Sequence, residues 1–153
     1  MTDQPGRGCT VSDDMGIFRT TVGIESPAAR GSVQYVHDVL VDTGAQLSWM
    51  PAAVLESMGV RREKPMRFRM ANGAVLRRDV GYGIVHAGGG ATIDEIVFGE
   101  ASDTALLGAR SIEGLNFRVD VANKRFVSAG PIITACMSPP LLRRAFRRLW
   151  QVP

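Results

Sequence analysis

Short runs of apolar residues recur along the chain, and turn-forming residues interrupt them at close intervals. Met15 to Ile24 is rich in β-formers and predicts a first strand, and Ser26-Pro27-Ala28-Ala29-Arg30-Gly31 supplies the turn after it. Val33 to Val41 alternates at first and then turns continuously apolar, the pattern of a strand entering a core buried on both faces. Leu47-Ser48-Trp49-Met50 predicts a short strand. Pro51 and Gly59 then frame one short helix whose apolar face is Val54, Leu55 and Met58. Met66 to Met70 alternates apolar with basic residues, Asn72-Gly73 is a strong hairpin-turn pair, and Ala74-Val75-Leu76 returns from it. A second hairpin is expected from Val80 to His86, through Gly88-Gly89-Gly90, and back from Ala91 to Phe98. Ala105 to Ala109 predicts a short buried strand, Ser111 to Leu115 one helical turn, and Asn116–Val121 with Arg125–Val127 a last hairpin through Ala122-Asn123-Lys124. Many short strands separated by turn signals indicate an all-β, closed barrel-like domain with one or two short helices.

Composition agrees with this pattern and bounds it. A chain of 153 residues with 45% hydrophobic content is one domain with a real core, and 17 glycines with 8 prolines favour turns and short strands over long helices. The expected division is a loose arm over 1–14, the barrel domain over 15–130, and a tail over 131–153. The net charge of +3 is uneven, because Arg143, Arg144, Arg147 and Arg148 carry more than the whole excess. In that tail Leu142, Phe146 and Leu149 share a helical face, giving a basic amphipathic helix after Ser138-Pro139-Pro140. Such a helix suits packing against a protein partner or contact with an anionic membrane surface, while nothing in it specifies a nucleic-acid target. Cys9 and Cys136 are too few for a disulfide framework and read as free thiols, with an end-to-end or intersubunit bridge as the alternative. The polar start lacks a signal-peptide pattern, and no apolar run reaches the length of a membrane helix, so a cytoplasmic location is expected.

The candidate chemistry sits at Val39-Leu40-Val41-Asp42-Thr43-Gly44-Ala45. A carboxylate at the end of an apolar strand is costly unless it is paired, neutralised or hydrogen-bonded. The ordinary explanation is a turn aspartate capping its own backbone. Two further segments favour a different one. Asp-Thr-Gly-Ala here, the apolar strand before it and Leu106-Leu107-Gly108 downstream together resemble the retropepsin-like, single-domain aspartic proteases over roughly residues 15–128.

That resemblance implies an acid-protease fold and peptide-bond hydrolysis by two carboxylates sharing one proton. It makes Asp42 the catalytic residue, with Thr43, Gly44 and Ala45 shaping the active-site loop. The hairpin from Met66 to Val80 lies where the family has its flap, so Met70, Ala71, Asn72 and Gly73 would close over a polypeptide substrate. Leu106, Leu107 and Gly108 resemble the apolar-apolar-glycine motif that supports the active-site loop in a ψ-shaped crossing. There are departures. Gln46 stands where the viral enzymes usually carry an aspartate that binds the substrate backbone, and Ala109 replaces an arginine, although Arg110 is adjacent.

A dyad needs two such carboxylates and the chain has a single Asp-Thr-Gly, since Asp103-Thr104-Ala105 lacks the glycine. A homodimer with Asp42 beside its copy on a two-fold axis follows. No cofactor is expected. His37 and His86 share no ligand spacing with the cysteines, so no metal is expected either. Gly88-Gly89-Gly90 lacks the Lys-Ser/Thr of a phosphate loop and reads as a turn, and Trp49 reads as core. The rival readings are a protease-fold dimerisation or peptide-binding module with little hydrolysis, and a membrane- or RNA-associated accessory protein working through its tail.

Overall fold

The computed structural model describes residues 16–132. The amino-terminal arm, Cys9, Cys136 and the basic tail lie outside the described residues. The chain runs β1 (Arg19–Glu25), β2 (Val33–Asp42), β3 (Ser48–Pro51), α1 (Ala52–Ser57), β4 (Lys64–Arg69), β5 (Val75–Ala87), β6 (Gly90–Gly99), β7 (Leu106–Gly108), α2 (Ala109–Gly114), β8 (Phe117–Asp120) and β9 (Arg125–Ser128).

Six strands close on themselves in the order β1-β2-β7-β3-β6-β5, and β5 returns to β1. The closing rungs pair Gly23, Ile24 and Glu25 with His86, Val85 and Ile84. β4 stands outside the ring, paired only with β5. The hairpins form where the turn chemistry demands them. Gly88 and Gly89 both take positive φ, 57° and 83°, which is the two-residue turn that matches the twist of paired strands. The β4–β5 hairpin turns through the longer 70–74 loop, in which Gly73 takes a positive φ of 84° and the Asn72 side chain accepts a hydrogen bond from the Ala74 N–H at 3.0 Å.

The core has two parts. Val22, Ile24, Val39, Met50, Leu55, Val85, Ile96, Phe98 and Leu107 fill the barrel. Leu47, Trp49, Val80 and Val97 form a smaller cluster that Met66, Phe68, Leu76 and Leu106 cover. Each fully buried side chain contributes about 1.5–3 kcal/mol of transfer free energy. Phe126 stacks on Phe117 (5.0 Å to Phe18, 5.4 Å to Phe117), so the β8–β9 hairpin is held by aromatic contacts to the start of the barrel.

Two expectations need correction. β2 is not buried on both faces: Val39 alone is buried, while Leu40, Val41 and Asp42 are half-buried. A bulge opposes Thr21 of β1 to both His37 and Asp38, with Asp38 at φ 60°, and this turns the strand's face partway along. The return limb of the first hairpin and the outward limb of the second are also one continuous 13-residue strand, β5. The polar Arg77-Arg78-Asp79 hides that continuity, because its members pair with Arg67, Met66 and Pro65 of β4 outside the barrel.

Candidate active site

Asp42 is the last residue of β2, and its position is set by β7. The two strands run parallel, with Leu40, Val41 and Asp42 opposite Leu106, Leu107 and Gly108. β7 also pairs antiparallel with β3 at Trp49–Leu106, so it is wedged between two strands that the 43–47 loop connects. This is the ψ-shaped crossing. It leaves no room for a side chain at Gly108, where a Cβ would come 2.5 Å from the Leu47 carbonyl carbon and 3.0 Å from the Ala45 oxygen. The loop is pinned in turn by α2, whose Ala109 and Arg110 N–H groups donate to the Ala45 and Gln46 carbonyls at 2.8 and 3.2 Å.

Within the loop, Oδ1 of Asp42 accepts a hydrogen bond from the Gly44 N–H at 2.8 Å, and the Ala45 N–H reaches the Asp42 carbonyl at 3.3 Å. The carboxylate is thus oriented by its own turn while Thr43 and Gly44 are exposed. It lines a cleft of about 780 Å³, shared with Gly44, Ala45, Gln46, Trp49 and Leu106 on the barrel side and with Met66 to Ala71 of the β4 hairpin opposite. Of the flap residues named from the sequence, Met70 and Ala71 line the cleft, and Asn72 and Gly73 form the tip beyond that lining. Of the supporting motif, Leu106 lines it, while Leu107 is buried beneath.

Asp103 is the second carboxylate of the cleft, and its chemistry is already committed. Arg78 Nε and Nη2 donate to its two oxygens at 2.7 and 3.1 Å, and the Glu100 N–H donates at 2.8 Å. The hydrogen bonds from Arg78, followed by that backbone N–H, hold its carboxyl below the ordinary carboxylate range against the opposing effect of burial. Both oxygens of Asp103 are thus engaged by Arg78 rather than offered to Asp42.

Behind the loop lies a buried polar chain. Ser48 Oγ accepts the Gly108 N–H at 2.9 Å and bonds Ser111 Oγ at 2.7 Å, and Ser111 donates to Asp94 Oδ2 at 2.8 Å. Arg110 clamps the far end, pairing with Asp94 at 3.0 Å and with Glu95 at 2.9 Å. Sequence reasoning missed this chain, because its members lie far apart in the sequence. One signal was available: Ser48 is the single polar residue inside an apolar strand. Among the described residues no group of histidine, cysteine and acidic side chains is arranged to hold a metal ion.

A family model described as "gag-polyprotein putative aspartyl protease" matches residues 33–113, from the start of β2 to the penultimate residue of α2. The chain belongs to that family. The match takes in the Asp42 loop, the β4 hairpin and the Leu106-Leu107-Gly108 support, so the barrel is the family's acid-protease fold. Among solved structures, the chain is similar to the solution structure of the Simian Foamy Virus (mac) protease, at 22% identity and a TM-score of 0.42, covering 62% of this chain and 91% of that one. No curated protein matches the sequence. No helix of the described residues is long and apolar enough to cross a membrane.

Proposed function

We propose that this aspartyl-protease domain is an endopeptidase that acts as a homodimer. Two copies of Asp42 meet on a two-fold axis and share one proton, because like charges about 3 Å apart cannot both ionise. The ionised member takes a proton from a water as it attacks the peptide carbonyl, and the protonated member donates a hydrogen bond to the carbonyl oxygen. The apparent pKa values of such a dyad belong to the pair. Thr43 and Gly44 shape the loop around the dyad. The hairpin tip, Met70 to Gly73, closes over the peptide and excludes water.

One observation carries the reading: the Asp42 carboxylate stands at a cleft wall, oriented by the Gly44 N–H, while the cleft's other carboxylate is tied up by Arg78. A chain with one available carboxylate needs a second copy to complete the pair. The test compares wild type with Asp42→Asn on a diverse peptide mixture from about pH 4 to about pH 7, where such dyads work, with molecular mass measured in solution. A dimeric wild type that cleaves and a variant that does not are expected. Equal cleavage by both proteins would sink the aspartic mechanism. A folded, peptide-binding wild type without hydrolysis would assign the domain to binding instead.

A further inference from the structure

The β4–β5 hairpin has two chemically different faces. Register places Met66, Phe68, Leu76 and Arg78 on one face and Arg67, Arg69, Val75 and Arg77 on the other, since Met66 faces Arg78, Phe68 faces Leu76, Arg67 faces Arg77 and Arg69 faces Val75. The first face packs on Trp49, with Phe68 edge-on at 4.9 Å, and Arg78 is neutralised by Asp103 and Glu100. The second face is exposed, and the side chains of its three arginines make no ion pair or hydrogen bond with any described residue.

That arrangement is unfavourable in the free protein. Arg67 and Arg77 are directly opposite, and Arg69 is diagonal to Arg77, so three guanidinium charges repel across a two-stranded ribbon. Elsewhere several arginines are matched: Arg62 pairs with Glu56 and Asp79, Arg110 with Asp94 and Glu95, and Arg30 with Glu25, while Arg61 has no acidic partner but lies outside the cleft lining. The unmatched set is also placed at the site. Arg67 and Arg69 both line the cleft that holds Asp42. The other charged residues of that lining, Asp103 and Arg110, are already paired, and Gln46 adds no charge. Among the described residues, the uncompensated charge along the cleft apart from Asp42 is positive.

We propose that the cleft selects polypeptide substrates carrying glutamate or aspartate within a few residues of the scissile bond, held by Arg67 and Arg69 with Arg77 reinforcing the field. This rests on the protease reading and adds its substrate class. Acidic side chains supply the counter-charge that the hairpin lacks, so binding relieves a repulsion as well as forming new contacts. Because these arginines are solvent-exposed, each pair is worth little alone and is screened by salt. The selection is therefore modest, additive over acidic positions and strongest at low ionic strength.

The test uses three peptides with one common apolar centre and flanking Glu, Gln or Lys, assayed at about pH 6, where glutamate is ionised. Wild type should cleave the Glu peptide about fivefold faster in kcat/KM than the Gln peptide, and the Lys peptide more slowly than either. High salt should shrink the ratio. Arg67→Gln/Arg69→Gln should bring the Glu-to-Gln ratio to one, Arg67→Glu/Arg69→Glu should reverse the order in favour of Lys, and Arg61→Gln should leave the ratio as in wild type. An unchanged ratio in the double variants overturns the proposal. The same peptides, fluorescently labelled, are titrated onto Asp42→Asn, so preference is read as affinity even if wild type cleaves nothing. In that case the protease reading fails and the charge selection stands or falls on the Glu-to-Gln affinity ratio. A single-stranded RNA oligomer that displaces the Glu peptide and binds more tightly than it, in an Arg67- and Arg69-dependent way, would also overturn the proposal, by giving the patch to nucleic acid.

Discussion

Asp42 and Gly108 share a rung of the parallel β2–β7 ladder, and the second has no side chain because the Leu47 carbonyl occupies the place where one would go. A Cβ at Gly108 meets backbone atoms that cannot rotate away. Gly108→Ala should therefore destabilise the fold by about 3 kcal/mol and lower Tm by about 10 °C. Gly44→Ala provides the contrast. There the nearest atom is Asp42 Oδ1 at 3.2 Å, so stability should change by less than about 1 kcal/mol while cleavage falls, because the pressure lands on the carboxylate. Thermal unfolding and peptide cleavage on the two variants separate these effects.

The serine chain behind the loop predicts a stability cost without a cavity. Ser111→Ala removes the donor to Asp94 Oδ2 and a partner of Ser48, both fully or nearly buried, and should cost about 1–3 kcal/mol in urea unfolding. Ser57→Ala, which removes an exposed hydroxyl bonded to Gln34, should cost far less. Equal effects at the two positions would show that the buried chain does not brace the loop.

Phe68 anchors the hairpin to the barrel through Trp49. Phe68→Ala should loosen residues 64–76 by about 1–2 kcal/mol, read as faster amide exchange there, with little change in β1, β2 and β6. Uniform acceleration across the barrel would show that the hairpin and the barrel open as one unit.

The acid limb of stability has a named contributor. Glu25 is buried and accepts from the Gly31 N–H at 2.7 Å, from His86 Nε2 at 2.7 Å and from Arg30 Nε at 2.8 Å. Those partners, the Gly31 N–H foremost, hold its carboxyl below the ordinary 4.5. A lowered folded-state pKa means that the unfolded chain binds more protons at low pH. The contribution is therefore complete above about 4.5 and disappears as pH falls through the folded value. Glu95 and Asp103, held low chiefly by Lys64 and Arg78, act in the same direction. Tm should drop below about pH 4.5, and Glu25→Gln should flatten part of that drop. An unaltered pH profile in the variant would remove Glu25 from the account.

Hairpins were legible in the sequence because Asn72-Gly73 and Gly88-Gly89 require backbone conformations that few other pairs adopt. Helix α1 was legible from Pro51 and Gly59, and the Asp42 loop from its run of residue types. What stayed hidden was non-local. The closing of β1 on β5 depends on pairing Gly23 with His86, for which no local signal exists. The Ser48–Ser111–Asp94 chain joins three elements that the sequence lists far apart. The exposure of β2 was misread because a bulge at His37 and Asp38 shifts its register, and a bulge leaves alternation looking intact on either side. In the hairpin, the alternation of Arg67 and Arg69 with apolar residues was visible. Their lack of acidic partners is set by three-dimensional placement, which no local pattern encodes.

The barrel completes its ring of main-chain hydrogen bonds within one chain, and the one strand of that sheet left outside the ring, β4, is short and studded with Lys64, Pro65, Arg67 and Arg69. Folding is thereby first order in protein, whereas the proposed active site, made from two Asp42 residues, would be second order. On that proposal, dilution would separate the two properties and leave folded monomers without a dyad. On the proposed dimer reading the chain would behave as a concentration gauge: synthesis or confinement above the dimer's dissociation constant would turn hydrolysis on, and dispersal would turn it off, with no change in the fold.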